Sequence, residues 1–305
     1  MTMAIAKYLA CVATAALISV GATAAHAQAT GLDGTLAKIA EDGVVVVGYR
    51  EASIPFSYYD DAKNPMGYSM DFTDAVIEQI KAKIGRPDLE VRKLPITSQN
   101  RISLLQNGTI DFECTTTTHN ESREKQVDFT NSIFVVGTRL MTQKDSGISD
   151  FPDLKGQNVV VGAGTTSEVL LRKMNTEKQM GMNIVSAKDH AESFLMLSTG
   201  RAKAMMMDDA LLAGERAKAK DPSKYVITGT PQSRESYACM VRKGDAQMKQ
   251  LLDTTIADLQ TSGKAAQIYQ KWFMSPIPPR GLNLDFPMSD DLKGLFAQPN
   301  SNILN

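Results

Sequence analysis

Histidine and cysteine are scarce in this chain, three of each in 305 residues. Beyond residue 27 only His119, His190, Cys114 and Cys239 remain. That supply leaves no paired Cys-x-x-Cys zinc spacing, and neither H-E-x-x-H nor the G-x-S-x-G elbow occurs. No metal or cofactor is implied. Charge of one sign is also missing: 33 Lys+Arg face 34 Asp+Glu, a formal net charge of −1. A sequence-independent nucleic-acid binder would need a basic surface, so that class is excluded and any important charge sits in a local site. Past residue 27 no stretch approaches the ~20 apolar residues needed to cross a ~30 Å hydrocarbon layer. Solenoid-period repeats and low-complexity linkers are absent as well. What is present is ordinary for a soluble globular chain, 43% hydrophobic and 22% charged. At roughly 150 residues per domain, the length suggests two domains or lobes.

The first 27 residues read as an export signal. Lys7 precedes an apolar run from Tyr8 through Val20, and Ala25-His26-Ala27 supplies an A-x-A site before Gln28. Cys11 lies early in that run, away from the cleavage point, which argues against a lipid anchor. An exported protein lives in an oxidising compartment, where Cys114 and Cys239 allow one pairing across a long loop. Two separate buried thiols are the alternative.

Strands and helices alternate along the rest of the chain. Val44–Gly48 is a continuous β-branched run suited to a buried parallel strand. Asp71–Ile84 follows as a helix with Phe72, Val76, Ile77 and Ile80 on one face and Gly85 as its stop. Leu89–Leu94 and Ile110–Thr116 read as strands around a helix at Ser98–Gln106, before a long extended stretch from Val127 to Met141. A second series begins at Val159–Val161 and runs through Ile184–Ala187, Ala204–Met207 and Tyr225–Thr228, with helices between. Two further helices end at Phe273, with Trp272 and Phe273 as an anchoring face. The proline-rich tail from Ser275 should be mostly irregular. Two series joined by an extended segment predict a two-lobed α/β fold with sites at strand carboxyl ends.

Candidate chemistry gathers at those strand ends. Arg50 ends the first strand, Arg101 lies near a helix start after Ser98, and Arg123 follows the hydroxyl run Thr115–Thr118. Guanidinium forks pair bidentately with carboxylates. Gly162-Ala163-Gly164-Thr165-Thr166-Ser167 starts like a dinucleotide fingerprint but has Ser167 where the third glycine belongs. Its free N–H groups, hydroxyls and helix dipole suit a small anion, or serve as simple capping. Asp209 reads as a helix N-cap, leaving Asp208 to face an ammonium group. His190, in the first turn of a helix capped by Asp189, reads by position alone as solvent-exposed.

Several segments resemble the periplasmic glutamate/aspartate-binding proteins of ABC importers. They are Val45-Val46-Val47-Gly48-Tyr49-Arg50-Glu51, Ser53-Ile54-Pro55-Phe56-Ser57-Tyr58-Tyr59 and Pro95-Ile96-Thr97-Ser98-Gln99-Asn100-Arg101. Gly164-Thr165-Thr166-Ser167-Glu168, Ser186-Ala187-Lys188-Asp189-His190, the run Met206–Arg216, and Lys271-Trp272-Phe273 before Pro276-Ile277-Pro278-Pro279 match too. The resemblance covers nearly all of the chain after residue 27.

It implies a two-lobed type II periplasmic-binding-protein-like fold with the ligand in the cleft. Lobe 1 would comprise residues 28–132 and 239–305, lobe 2 residues 136–236, with hinges at 133–135 and 237–238. Arg123, assisted by Thr118 and the helix start at Thr166, would grip an amino acid's α-carboxylate, and Asp208 would receive its ammonium. Arg50, Ser98, Arg101 and His190 would surround the side-chain carboxylate. Thr116 stands where a serine is implied, keeping the hydroxyl and adding a methyl. The implied function is capture of L-glutamate and L-aspartate by a periplasmic monomer that delivers them to an ABC permease. Two other readings share the fold: an exported dehydratase acting on cyclic carboxylates, with His190 as general acid, and a sensory module reporting ligand to a receptor.

Overall fold

A computed structural model describes residues 31–304; the export signal assigned to residues 1–27 lies outside them. The chain first lays down β1 (Val44–Tyr49), a small antiparallel unit of β2 (Ala52–Ser53), β3 (Ser57–Tyr59) and β4 (Pro65–Met66), then β5 (Glu90–Pro95), β6 (Phe112–Glu113) and β7 (Val127–Val136). It continues through β8 (Thr138–Gln143), β9 (Asn158–Gly162), β10 (Asn183–Ala187), β11 (Ala204–Asp208) and β12 (Tyr225–Thr228), and returns in β13 (Glu235–Arg242).

These strands build two five-stranded sheets of matching design. One has the order β5-β1-β6-β13-β7, the other β10-β9-β11-β8-β12. In each a central strand, β1 or β9, pairs parallel with both neighbours, and antiparallel strands complete the edge. The parallel pairs put the carboxyl ends of β1, β5 and β6 on one rim and those of β9, β10 and β11 on another. Two lobes result, each with its own sheet.

Apolar periodicity explains the layers. Helix Tyr68–Ile84 buries Tyr68, Phe72, Val76, Ile77 and Ile80, residues spaced to fall on one face. Gly85, in the left-handed region at φ 70°, ends it by donating to the last carbonyls. In the second lobe Val159 and Val161 of β9 pack with Leu171 and Met206, all fully buried.

The two lobes are joined by crossing strands. Gly137 alone separates β7 from β8, and the chain comes back over residues 229–234 into β13. There β13 pairs with β7 from Glu235↔Val136 to Arg242↔Val127, with register shifts around Ala238. The hinge positions inferred from resemblance, 133–135 and 237–238, fall inside this ribbon. Phe134 and Tyr237 from the ribbon pack with Phe56 and Phe273, the Phe56 and Phe134 rings meeting edge to face at 4.8 Å. Trp272 is buried as expected, its indole N–H donating to Asp71 at 2.7 Å. Cys114 and Cys239 form a disulfide that staples the end of β6 to β13 across 125 residues of chain.

One local expectation changes, and two helices add to the sequence reading. The extended stretch from Val127 to Met141 is two strands broken at Gly137, because each half joins a different sheet. The tail holds one helix, Asp290–Ala297, capped by Ser289 accepting from the Leu292 N–H. A helix at Gly34–Asp42 precedes β1. Among the described residues no helix is long and apolar enough to cross a membrane.

Candidate ligand-binding site

Local chain geometry carries three arginines to the rim of the first sheet. Arg50 leaves β1 with its backbone locked by Ser57, whose hydroxyl accepts from the Arg50 N–H and donates to its carbonyl, both at 2.9 Å. Its guanidinium donates to the Ser98 hydroxyl at 2.8 Å. Arg101 opens helix Arg101–Gln106 and points inward, donating to the Thr116 carbonyl at 3.2 Å and to Thr117 Oγ1 at 2.5 Å. Arg123 sits in a short helix capped by Asn120 and donates to the Thr118 carbonyl at 2.8 Å. It also reaches across to the Gly164 carbonyl, 3.5 Å away, in the second lobe.

The second lobe supplies the facing wall from three strand ends. After β9, Gly164 turns at φ 75° and Thr165 caps helix Thr166–Glu177 by accepting from the Glu168 N–H. The first N–H groups of that helix have no intrahelical acceptor. After β10, Asp189 caps the helix that His190 begins. Asp208 ends β11 and, contrary to the expectation that Asp209 caps, itself takes the N-cap position of helix Asp209–Ala217 without a side-chain cap bond; Asp209 is the first helical residue, its carboxylate accepting the Ala210 and Gly137 N–H groups.

One cavity lies between these walls. Ser98, Arg101, Thr116, Thr118 and Arg123 line it from the first lobe. Thr166, His190 and Asp208 line it from the second, with Thr165, Ser167, Met207 and Leu211 between them. Of the nine residues singled out in the sequence, only Arg50 stands back, reaching the wall through Ser98. The cavity is narrow, with about 20 Å³ of room for water-sized occupants, little more than one water's worth. A wider surface groove of about 590 Å³ beside Lys38 and Arg242 includes none of the nine.

Charge in this space is unevenly matched. Arg50, Arg101 and Arg123 are 4%, 2% and 8% exposed, yet the hydrogen-bond partners of their guanidiniums among the described residues are all neutral. The Nε of Arg101 is buried with no partner there at all. Burial, reinforced by the nearby Arg101 charge, pushes Arg50 down to about 10 and Arg123 to about 9. Opposite them Asp208 is pushed up to about 7 by burial and then by the carboxylate of Glu235. It accepts from Tyr237 and, at 3.3 Å, from Thr138. His190 is buried, against the reading from position. Desolvation first, then Arg50, holds its imidazole well below the usual range, so it is neutral. Its Nδ1 lies 3.4 Å from the Ser53 hydroxyl of the first lobe.

Two carboxylates here escaped the sequence reading. Glu113 is fully buried on β6 and accepts from both Thr115 and Thr117, so Arg101 is linked to it through the Thr117 hydroxyl. Glu235, 8% exposed at the start of β13, accepts from Thr118 of the first lobe at 2.6 Å and Thr166 of the second at 2.8 Å. The alternation of acidic and apolar residues in Ile110-Asp111-Phe112-Glu113-Cys114 was the available signal for Glu113. Glu235 had none, since its partners lie 117 and 69 residues away.

The arrangement is chemically bipolar. Buried cations without carboxylate partners call for an anion, and a buried carboxylate across the same cavity calls for a cation. A molecule carrying both is a zwitterion.

Known proteins share this architecture. A 57% identical relative from Salmonella typhimurium, a glutamate/aspartate import solute-binding protein, matches over 96% of this chain and 98% of its own length. An L-glutamate/L-aspartate-binding protein from Pseudomonas aeruginosa is 59% identical over 88% of this chain and 89% of its own. Among solved structures, a mutant of ArgBP from T. maritima superposes with a TM-score of 0.70 at 27% identity, covering 78% of this chain and 99% of that one. The expected type II two-lobed fold is the fold of such neighbours. The model for bacterial extracellular solute-binding proteins, family 3, matches residues 45–275, and the chain belongs to that family.

Proposed function

We propose that this protein is a periplasmic solute-binding protein that captures L-glutamate and L-aspartate between its lobes and delivers them to an ABC importer permease. The observation that carries the reading is a pair of buried arginines with only neutral partners, Arg101 and Arg123, lining one cavity opposite Asp208, with a third, Arg50, behind its wall at Ser98. Each pole of an acidic amino acid then has a counterpart. Arg123, with Thr118 and the helix start at Thr166, takes the α-carboxylate. Asp208 takes the ammonium. Arg101 and Arg50, with Ser98, Thr116 and neutral His190, take the side-chain carboxylate. An amide in that last place would leave two guanidiniums facing a neutral group, which disfavours glutamine and asparagine.

The cavity is too narrow for an amino acid to enter by diffusion alone, so the walls part. Bending of the β7–β13 ribbon at residues 133–135 and 237–238 opens the cleft, with lobe 1 formed by residues 28–132 and 239–305 and lobe 2 by residues 136–236. Export through residues 1–27 places the chain in the periplasm. It acts there as a monomer that touches its permease only in passing. The binding and import named in its relatives favour this reading over catalysis. A general-acid role for His190 is disfavoured too, because burial and Arg50 drive off the proton it would donate.

A thermal-shift survey of ligand-stripped protein against the common amino acids tests the reading. Only L-glutamate and L-aspartate should raise the melting temperature strongly. A response to amides or basic amino acids of equal size would contradict it.

A further inference from the structure

The role given to Thr118 leaves out where its hydroxyl proton goes. A threonine hydroxyl has one O–H to donate and lone pairs to accept with. Thr118 Oγ1 donates to Glu235 Oε2 at 2.6 Å, and Thr166 Oγ1 donates to the same oxygen at 2.8 Å. The other carboxylate oxygen accepts from Ser233 at 2.8 Å, and the Thr138 hydroxyl, whose single proton serves either this oxygen or Asp208, lies 3.3 Å away. Four hydroxyls thus converge on Glu235, which lines no part of the cavity itself. With its proton engaged behind the wall, the Thr118 oxygen offers the cavity lone pairs. Lone pairs accept from an N–H and repel a carboxylate oxygen.

We propose that Glu235 is a positioning residue for amine recognition: by taking the Thr118 proton, it turns that hydroxyl into an acceptor for the ligand's ammonium beside Asp208. Thr138 lies between the two acids, 3.3 Å from each, so Thr118, Glu235, Thr138 and Asp208 form one continuous polar network. The proposal rests on the amino-acid-binding reading above and moves the Thr118 hydroxyl from the carboxylate end to the ammonium end. Arg123 keeps the α-carboxylate.

A double-mutant cycle read by calorimetric titration with L-glutamate tests it, using E235A, T118V and the double variant, with E235Q beside them. Glu235→Ala frees the Thr118 proton and should weaken L-glutamate by roughly tenfold or more, the loss of one hydrogen bond to a charged group. Thr118→Val should weaken it comparably, and the double variant should be little worse than either single one. The amide oxygen of E235Q still accepts, so that variant should recover most of the loss seen in E235A. A merely structural Glu235 would give additive losses in the cycle, and that result, or E235A binding like wild type, overturns the proposal. Should E235A not fold, T118V compared with Thr118→Ser decides, since serine keeps the hydroxyl and should bind far better than valine; equal affinities would overturn the proposal. Wild-type protein that fails to bind L-glutamate is a separate result, visible before any variant is made, and it removes the binding reading and this proposal together.

Discussion

The carbonyl of Ile54 lies directly over Gly214, only 2.1 Å from where a β-carbon on that residue would stand. Ile54 follows β2 in the first lobe, and Gly214 is inside helix Asp209–Ala217 after β11 in the second. The missing side chain is therefore what lets the lobes meet at this point.

Gly214→Ala should separate two effects of opposite sign. Alanine favours a helix interior over glycine by about 0.5–1 kcal/mol, so the ligand-free protein should melt at the same or a higher temperature. Closure would now drive the new methyl into backbone, so affinity for L-glutamate and L-aspartate should fall together, by roughly tenfold or more for an overpacking penalty of about 1–3 kcal/mol. Unchanged affinity by calorimetry would show that the lobes need not close to this contact.

Arginine truncations should divide the ligand into its two ends. Arg123→Ala should weaken every α-amino acid alike. Arg101→Ala and Arg50→Ala should weaken L-glutamate more than L-glutamine, by about 2–5 kcal/mol for a desolvated charge pair. Equal losses for acid and amide in the Arg101 variant would assign it to the backbone end or to structure, through its link to Glu113.

Asp208 predicts a pH dependence of binding. Its folded-state value is raised, to about 7, so the folded protein holds a proton there between about pH 4 and 7 that the unfolded chain has released. Stability therefore falls as pH rises through that window and levels off above it. Glu215, pushed up to about 7 by burial, adds to the same trend away from the cavity, so stability alone does not isolate Asp208. Binding does. An ammonium needs the ionised carboxylate, so L-glutamate should bind progressively more weakly below about pH 7 and release close to one proton at pH 6. Titrations in buffers of different ionisation heat measure this, and Asp208→Asn should abolish it; release persisting in that variant would place the proton elsewhere.

The disulfide closes a loop spanning 125 residues between β6 and β13. Replacing both Cys114 and Cys239 by serine should lower stability to denaturant by about 2–5 kcal/mol. An unchanged midpoint would mean that the packing of β6 on β13 holds this junction without it.

The parts legible in the sequence were those written in local pattern. Val44–Val47 announced β1, and the spacing of Phe72, Val76 and Ile80 announced the helix that covers it. Asp208 was legible as an acid at the end of an apolar strand, although it and not Asp209 holds the N-cap position of the helix that follows. What stayed hidden depends on long-range contacts. His190 looks exposed on its own helix and is buried in the fold, where Ser53 of the first lobe comes within 3.4 Å of its ring. Glu235 is one more acid on a strand until Thr118 and Thr166 converge on it from opposite walls. The break at Gly137 was hidden too, since both halves of Val127–Met141 are good strand sequence and only their sheets differ.

Calorimetric titration of ligand-stripped protein with L-glutamate and L-glutamine tests the central claim most directly, because the two differ only at the end facing Arg50 and Arg101. The account predicts one-to-one binding of L-glutamate at micromolar or tighter, about −8 kcal/mol, and L-glutamine weaker by at least about tenfold. Equal affinity for the two would contradict it.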